Sequence, residues 1–164
     1  MKLSSLISPK HVIVDLSMMT KKQVLQELAF HASVGLGLES HEIFEGLLER
    51  ERLGTTDVGH GVAIPHIKLQ SLEQIFCLFL KLERPIDFDA VDGKPVDLIW
   101  PMLAPTTAGA DHVKALQRVS RILRDEKTRN KIRAESDAMT IYELFVAHPS
   151  EQNRSRLIQK SQSV

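Results

Sequence analysis

One cysteine, one tryptophan and one tyrosine stand among 164 residues, and aromatic residues make up only 5% of the chain. A lone cysteine cannot close an intramolecular disulfide, which suits a reducing compartment. Cys77 also lies inside an apolar run, the setting of a packed thiol rather than a nucleophile. Net charge is missing too: 21 Lys and Arg balance 21 Asp and Glu. Such a chain lacks the cationic excess that displaces counterions from nucleic acid, and it has no polybasic segment for an anionic membrane surface. Long hydrophobic runs are absent as well. The longest, residues 75–80, falls far short of the roughly 20 residues that cross a bilayer. The first 15 residues carry no sustained apolar stretch of the signal-peptide kind. The expectation is a cytoplasmic protein with no nucleic-acid partner and no membrane insertion.

What is present is a chain long enough for one domain with a substantial core, and seven histidines. Residues 11–16 (HVIVDL) are short and β-branched, as in a strand. Thr20 and Gln23 have the spacing of a capping box, and Val24, Leu25, Leu28, Ala29 and Ala32 then recur at helical spacing up to a stop at Gly35 and Gly37. A second helix is predicted from Ser40 as N-cap, through Ile43, Phe44, Leu47 and Leu48, to Gly54. Residues 75–82 and 96–103 read as strands, with Pro101 placing the latter at an edge or ending it. Asp111 is positioned to cap a helix bearing Val113, Leu116, Val119, Ile122 and Leu123, and helical segments follow near 127–134 and 137–147. Some of the strands are joined by links too short for helical crossovers. The expected fold is therefore α/β, a mixed β-sheet flanked by helices on both faces in a single domain, residues 1–148. A polar tail, 149–164, is expected to be disordered.

Chemistry concentrates between residues 50 and 66. On a helical wheel Glu51 falls inside the apolar stripe of the second helix and Arg50 on its edge. Either the last turn frays and both side chains reach solvent, or Arg50 is aimed at an anion held by the glycine-rich connection that follows. In that connection Gly59 and Gly61 bracket His60; such glycines permit positive φ and close approach of N–H groups to a phosphate. Gly-x-Gly alone is weak evidence, and neither a Walker A loop nor a dinucleotide fingerprint is present. Pro65 stiffens the backbone before His66, which is either a turn residue or a nucleophilic imidazole whose second nitrogen is held by a hydrogen bond. His60, His66 and His112 lack the tight spacing of a zinc site, so no metal is expected. His11, His31, His41 and His148 fall at element ends or surfaces.

Taken together, residues 48–56 (LERERLGTT) and 58–66 (VGHGVAIPH), continuing through 85–98 (PIDFDAVDGKPVDL), 103–105 (LAP) and His112 with Leu116, resemble the IIA domain of the phosphoenolpyruvate-dependent phosphotransferase system. The branch is the mannitol/fructose/nitrogen-regulatory one, and the 88–98 stretch looks closer to its nitrogen-regulatory members. The resemblance implies a phosphocarrier without metal or cofactor. His66 matches the phosphorylated histidine, Arg50 the arginine beside the phosphoryl group and His112 the second histidine of the site. The N–H groups around Gly59 and Gly61 would help to neutralise charge. His60 departs from the polar residue, often Asn, of many relatives; it is either a pH-sensitive neighbour of the phosphoryl group or, the favoured reading, a solvated loop tip. The expected donor is an HPr-like phosphocarrier, and the expected targets are proteins such as transporters or sensor kinases that read the phosphorylation state. The alternative is a sugar-transport component that passes phosphate to a fructose- or mannitol-type IIB domain.

Overall fold

The computed structural model describes residues 2–151. Most of the expected tail, 152–164, lies outside the described residues. Its first three residues, 149–151, form a helical turn in which Glu151 pairs with Arg118 at 3.0 Å and accepts the Leu3 N–H at 3.1 Å.

Eight strands and five α-helices follow two short 3-10 turns: β1 (Val12–Leu16), α1 (Lys21–Leu36), α2 (Ser40–Arg52), β2 (Asp57–Gly59), β3 (Val62–Ala63), β4 (His66–Leu69), β5 (Phe76–Cys77), β6 (Phe79–Ile86), β7 (Val96–Ile99), β8 (Met102–Pro105), α3 (Ala110–Arg124), α4 (Glu126–Ala134) and α5 (Ala138–Val146). The strands form a five-stranded sheet, β1-β6-β7-β3-β2, and a three-stranded sheet, β4-β8-β5. Both are mixed: β1–β6, β3–β7 and β4–β8 are parallel, whereas β2–β3, β6–β7 and β5–β8 are antiparallel.

The two sheets are continuous in chain and in hydrogen bonding. Each of the pairs β3/β4, β7/β8 and β5/β6 is one extended run interrupted by one or two residues. Across the break the Trp100 N–H donates to Ala63 O (2.9 Å), Met102 N–H to Pro65 O (2.8 Å) and Leu78 N–H to Pro101 O (3.2 Å). Pro65 and Pro101 lack the N–H that an uninterrupted ladder needs, so the sheet bends where they sit. Pro101 therefore ends a strand, but its strand is central and not at an edge. β8 is paired on both sides.

Residue alternation sends side chains to two cores on opposite faces. Ala63, Leu80, Ile99 and Leu103 meet α1 and α2 through Val24, Leu25, Leu28, Ile43 and Leu47. Their chain neighbours Val62, Phe79, Leu98 and Met102 meet α3, α4 and α5 through Val119, Ile122, Ile132 and Phe145. Period-two alternation through a sheet covered on both faces requires apolar residues in both phases. Phe79, Trp100 and Phe145 pack edge-on within the second core, with Phe145 at 4.9 and 5.1 Å from the other two rings. Burial pushes the Cys77 thiol in the same core up to about 12, which leaves it unreactive.

The capping signals held in part. Thr20 accepts the Gln23 N–H and Gln23 reaches back to the Met19 N–H, and Gly37 closes α1 in the left-handed region at φ 70°. Ser40, however, is the first helical residue after Glu39, and Asp111 lies inside the first turn of α3 behind Gly109. Asp125 and Asp137 cap α4 and α5.

Candidate functional site

β4 carries the first candidate. Its Ile67 and Leu69 are buried in the α1/α2 core, so strand alternation turns His66 and Lys68 to the opposite face, towards α3. His66 is half-buried, and its Nδ1–H donates to the Ile64 carbonyl at 2.8 Å. A carbonyl can only accept, so this contact fixes the tautomer: Nδ1 holds the proton and Nε2 keeps a lone pair. The bend at Pro65 makes the contact possible by setting the Ile64 carbonyl beside the ring of His66.

Topology brings the second histidine to the first. β4 and β8 are parallel, with His66 opposite Met102. The chain leaving β8 enters α3 within a few residues, and α3 runs back over the sheet with His112 in its first turn. The His66 and His112 rings lie 5.7 Å apart, tilted by 55°. His112 is 7% exposed, and its Nδ1 is buried with no hydrogen-bond partner among the described residues. Burial, with smaller electrostatic contributions from His66 and Lys68, lowers its pKa from 6.5, so the ring is neutral at neutral pH.

Arg50 and Glu51 close α2, the helix that packs on β4 from the other face, where Gly46 approaches Ile67. The Arg50 guanidinium donates to the Gly54 carbonyl at 2.9 Å and makes no hydrogen bond to either histidine. α2 packs on β4 from the side opposite His66, and Arg50 stands in the last turn of that helix. Glu51 is not frayed into solvent. Its carboxylate is 9% exposed, pairs with Lys21 at 2.7 Å and accepts from the N–H and hydroxyl of Thr56. Lys21 also donates to the Phe88 carbonyl, so this buried cluster anchors the chain as it leaves α2. The partner comes from α1, which no pattern within α2 could reveal.

The glycines depart furthest from expectation. Residues 55–66 form a hairpin, not an open loop, and Gly59 pairs with Val62 across a two-residue turn, His60-Gly61. Both turn residues have positive φ, 58° and 77°, as a type I′ turn demands. A Cβ on Gly61 would meet Arg133 Nη2 at 2.6 Å, Asp97 Oδ1 at 3.1 Å and Pro95 O at 3.4 Å. The turn is separated from His66 by five residues of extended chain, about 16 Å at the usual rise per residue. Gly59 and Gly61 thus serve the hairpin turn, which packs against Asp97 and Arg133. His60 is exposed at the tip, as the loop-tip reading expects. Lys68 was passed over in the sequence, although its i, i+2 spacing from His66 in a strand was the available signal.

Among the described residues no three His, Cys, Asp or Glu side chains converge as a metal site, and no helix is long and apolar enough to cross a membrane. Residues 5–147 match the family model for the phosphoenolpyruvate-dependent sugar phosphotransferase system, EIIA 2. The chain belongs to that EIIA family. This EIIA domain is 51% identical over 150 residues to a nitrogen regulatory protein of Bradyrhizobium diazoefficiens, covering 92% of this chain and 98% of that one. It is also similar to the crystal structure of the nitrogen regulatory protein IIA-Ntr from Neisseria meningitidis, with a TM-score of 0.83, 29% identity and coverage of 87% and 98%. The crystal structure of Escherichia coli mannitol IIA shares the fold at a TM-score of 0.71 and 17% identity, over 85% of this chain and 98% of that one.

Proposed function

We propose that this EIIA domain is a phosphocarrier that accepts a phosphoryl group on His66 Nε2 from an HPr-like phosphohistidine carrier. Its phosphorylation state would then regulate partner proteins in a nitrogen-regulatory phosphotransferase system. The observation that carries the reading is the Nδ1–H to Ile64 carbonyl hydrogen bond, which leaves Nε2 as the free nucleophile. In the transfer, the P–N bond of the donor breaks as the P–Nε2 bond forms, and the donor imidazole leaves with the bonding pair. Positive charge that develops on the His66 ring is stabilised through Nδ1–H by the Ile64 carbonyl, which keeps the product in a transfer-ready form. The neutral ring of His112, stacked at an angle beside His66, flanks the phosphoryl group. Arg50, in the last turn of α2 with an exposed contact to Gly54, would exchange that contact for one to the phosphoryl group. With little covalent chemistry left for the protein, the site acts by positioning and by neutralising charge.

Similarity to nitrogen regulatory proteins supports a regulator whose targets, such as transporters or sensor kinases, distinguish the two states. A phosphoryl group adds about −1.5 to −2 charges, a large local change on a chain whose charges otherwise balance. A second reading rests on the shared fold with mannitol IIA: passage of phosphate to a fructose- or mannitol-type IIB domain. The test is incubation with an HPr-like carrier charged with phosphate, site mapping by mass spectrometry, and then addition of IIB candidates with sugar. Label on His66 that stops there supports the regulator. Efficient passage to sugar favours transport, and label at another residue defeats the acceptor assignment.

A further inference from the structure

We infer that Lys68 is a phosphoryl-binding residue of the His66 site, its ammonium pairing with the non-bridging oxygens of a phosphoryl group on Nε2. The inference rests on His66 being the acceptor and adds a cation to that site.

Three observations on the strand carry it. First, His66 and Lys68 occupy alternate positions of β4, opposite Met102 and Ala104, while Ile67 and Leu69 between and beyond them are buried on the other side. Two residues along a strand place their Cα atoms about 6.6 Å apart on one face, within the span of a lysine side chain reaching towards its neighbour. Second, Lys68 is exposed and has no ion pair or hydrogen bond among the described residues. By contrast, Lys21 and Arg133 are held by Glu51 and Asp97, and Arg50 donates to Gly54. Third, Lys68 contributes to the lowered pKa of the buried His112, whose ring lies 5.7 Å from that of His66. Arg50 belongs to α2, which packs on the other side of β4, whereas Lys68 stands on the same face of the strand as the nucleophile. An ammonium there attracts the incoming dianionic group and offsets its charge during transfer.

Phosphoramidate is a suitable probe because it needs no partner protein. Its P–N bond breaks as the P–Nε2 bond forms, ammonia leaves with the bonding pair, and His66 keeps the proton on Nδ1. The rate of labelling at His66 is measured for the wild-type chain, Lys68→Met and Lys68→Arg, at low and high salt. Unchanged melting temperatures are expected, since the side chain is exposed. The expected result is a loss of about three- to tenfold in rate for Lys68→Met, a weaker salt dependence, and recovery in Lys68→Arg. A Lys68→Met chain that keeps both the wild-type rate and its salt dependence overturns the inference and leaves His66 standing. Failure of the wild-type chain to label at His66 overturns the acceptor assignment and this inference with it.

Discussion

The two ends of the β3–β4 run carry the same residue types to opposite outcomes. At the hairpin end the polar groups are paired. Arg133 forks onto Asp97 at 2.9–3.2 Å and donates to the His60 carbonyl at 2.6 Å, which ties the turn to α4. At the far end, past Pro65, they are left available: Nε2 of His66 keeps its lone pair, His112 Nδ1 is buried without a partner, and Lys68 is unpaired among the described residues. Buried polar atoms without partners are costly, which makes the His112 Nδ1 beside His66 a candidate for completion by a ligand. Glycine richness and a histidine mark the paired end more conspicuously in the sequence, yet the proposed chemistry lies at the unpaired end.

Substitution at each end should separate the two. His66→Gln is expected to abolish phosphorylation by the carrier altogether while costing only about 1 kcal/mol of stability for the lost contact to Ile64, read by labelling and by denaturant melts. Gly61→Ala should do the reverse. The left-handed φ of 77° and the crowding by Arg133, Asp97 and Pro95 predict a loss of about 1–3 kcal/mol, with labelling of His66 unchanged. A Gly61→Ala chain that is stable but labels poorly would erase the distinction between the ends.

A subtler difference concerns pH. His112 is neutral in the folded state because burial, then electrostatic contributions from His66 and Lys68, lower its pKa below 6.5. The unfolded chain takes up that proton first as pH falls, so the contribution is fully present above about 6.5 and declines below it. Melting curves at pH 7.5 and 5.5 should therefore differ less in His112→Gln than in the wild-type chain. His11, whose pKa is lowered by burial and by Lys10, retains its own share of the dependence in the variant. The smallest expected effect is at the hairpin tip. His60→Asn suits the positive φ of 58° and should stabilise by a few tenths of a kcal/mol, with no change in labelling.

Much of the architecture was legible because it depends on near neighbours in the chain. The β-branched run 12–16, the Thr20 cap with the periodic residues after it, and the stop at Gly37 all rest on interactions within a few residues. Errors arose where the deciding partner was distant. Glu51 looked misplaced in an apolar stripe until Lys21 and Thr56 met it. Residues 55–66 looked like a loop because β2 and β3 are too short to show alternation, and their pairing is completed by β7. Pro101 left an edge or a strand end open; it ends β7, and only the fold shows the sheet bending there and resuming in β8.

For the site, the residue types and order around His66 and His112 were enough to nominate both histidines. Chain order alone determined the family and its α/β pattern, since capping, periodicity and the Ala-Ile-Pro-His string are local. Tertiary structure decided the rest. The Ile64 carbonyl holds the Nδ1 proton of His66, the parallel pairing of β4 with β8 brings His112 beside it, and strand alternation puts Lys68 on the His66 face. The physical reason is that tautomer, burial and field are properties of what surrounds a side chain. Those surroundings are assembled from segments far apart in the chain.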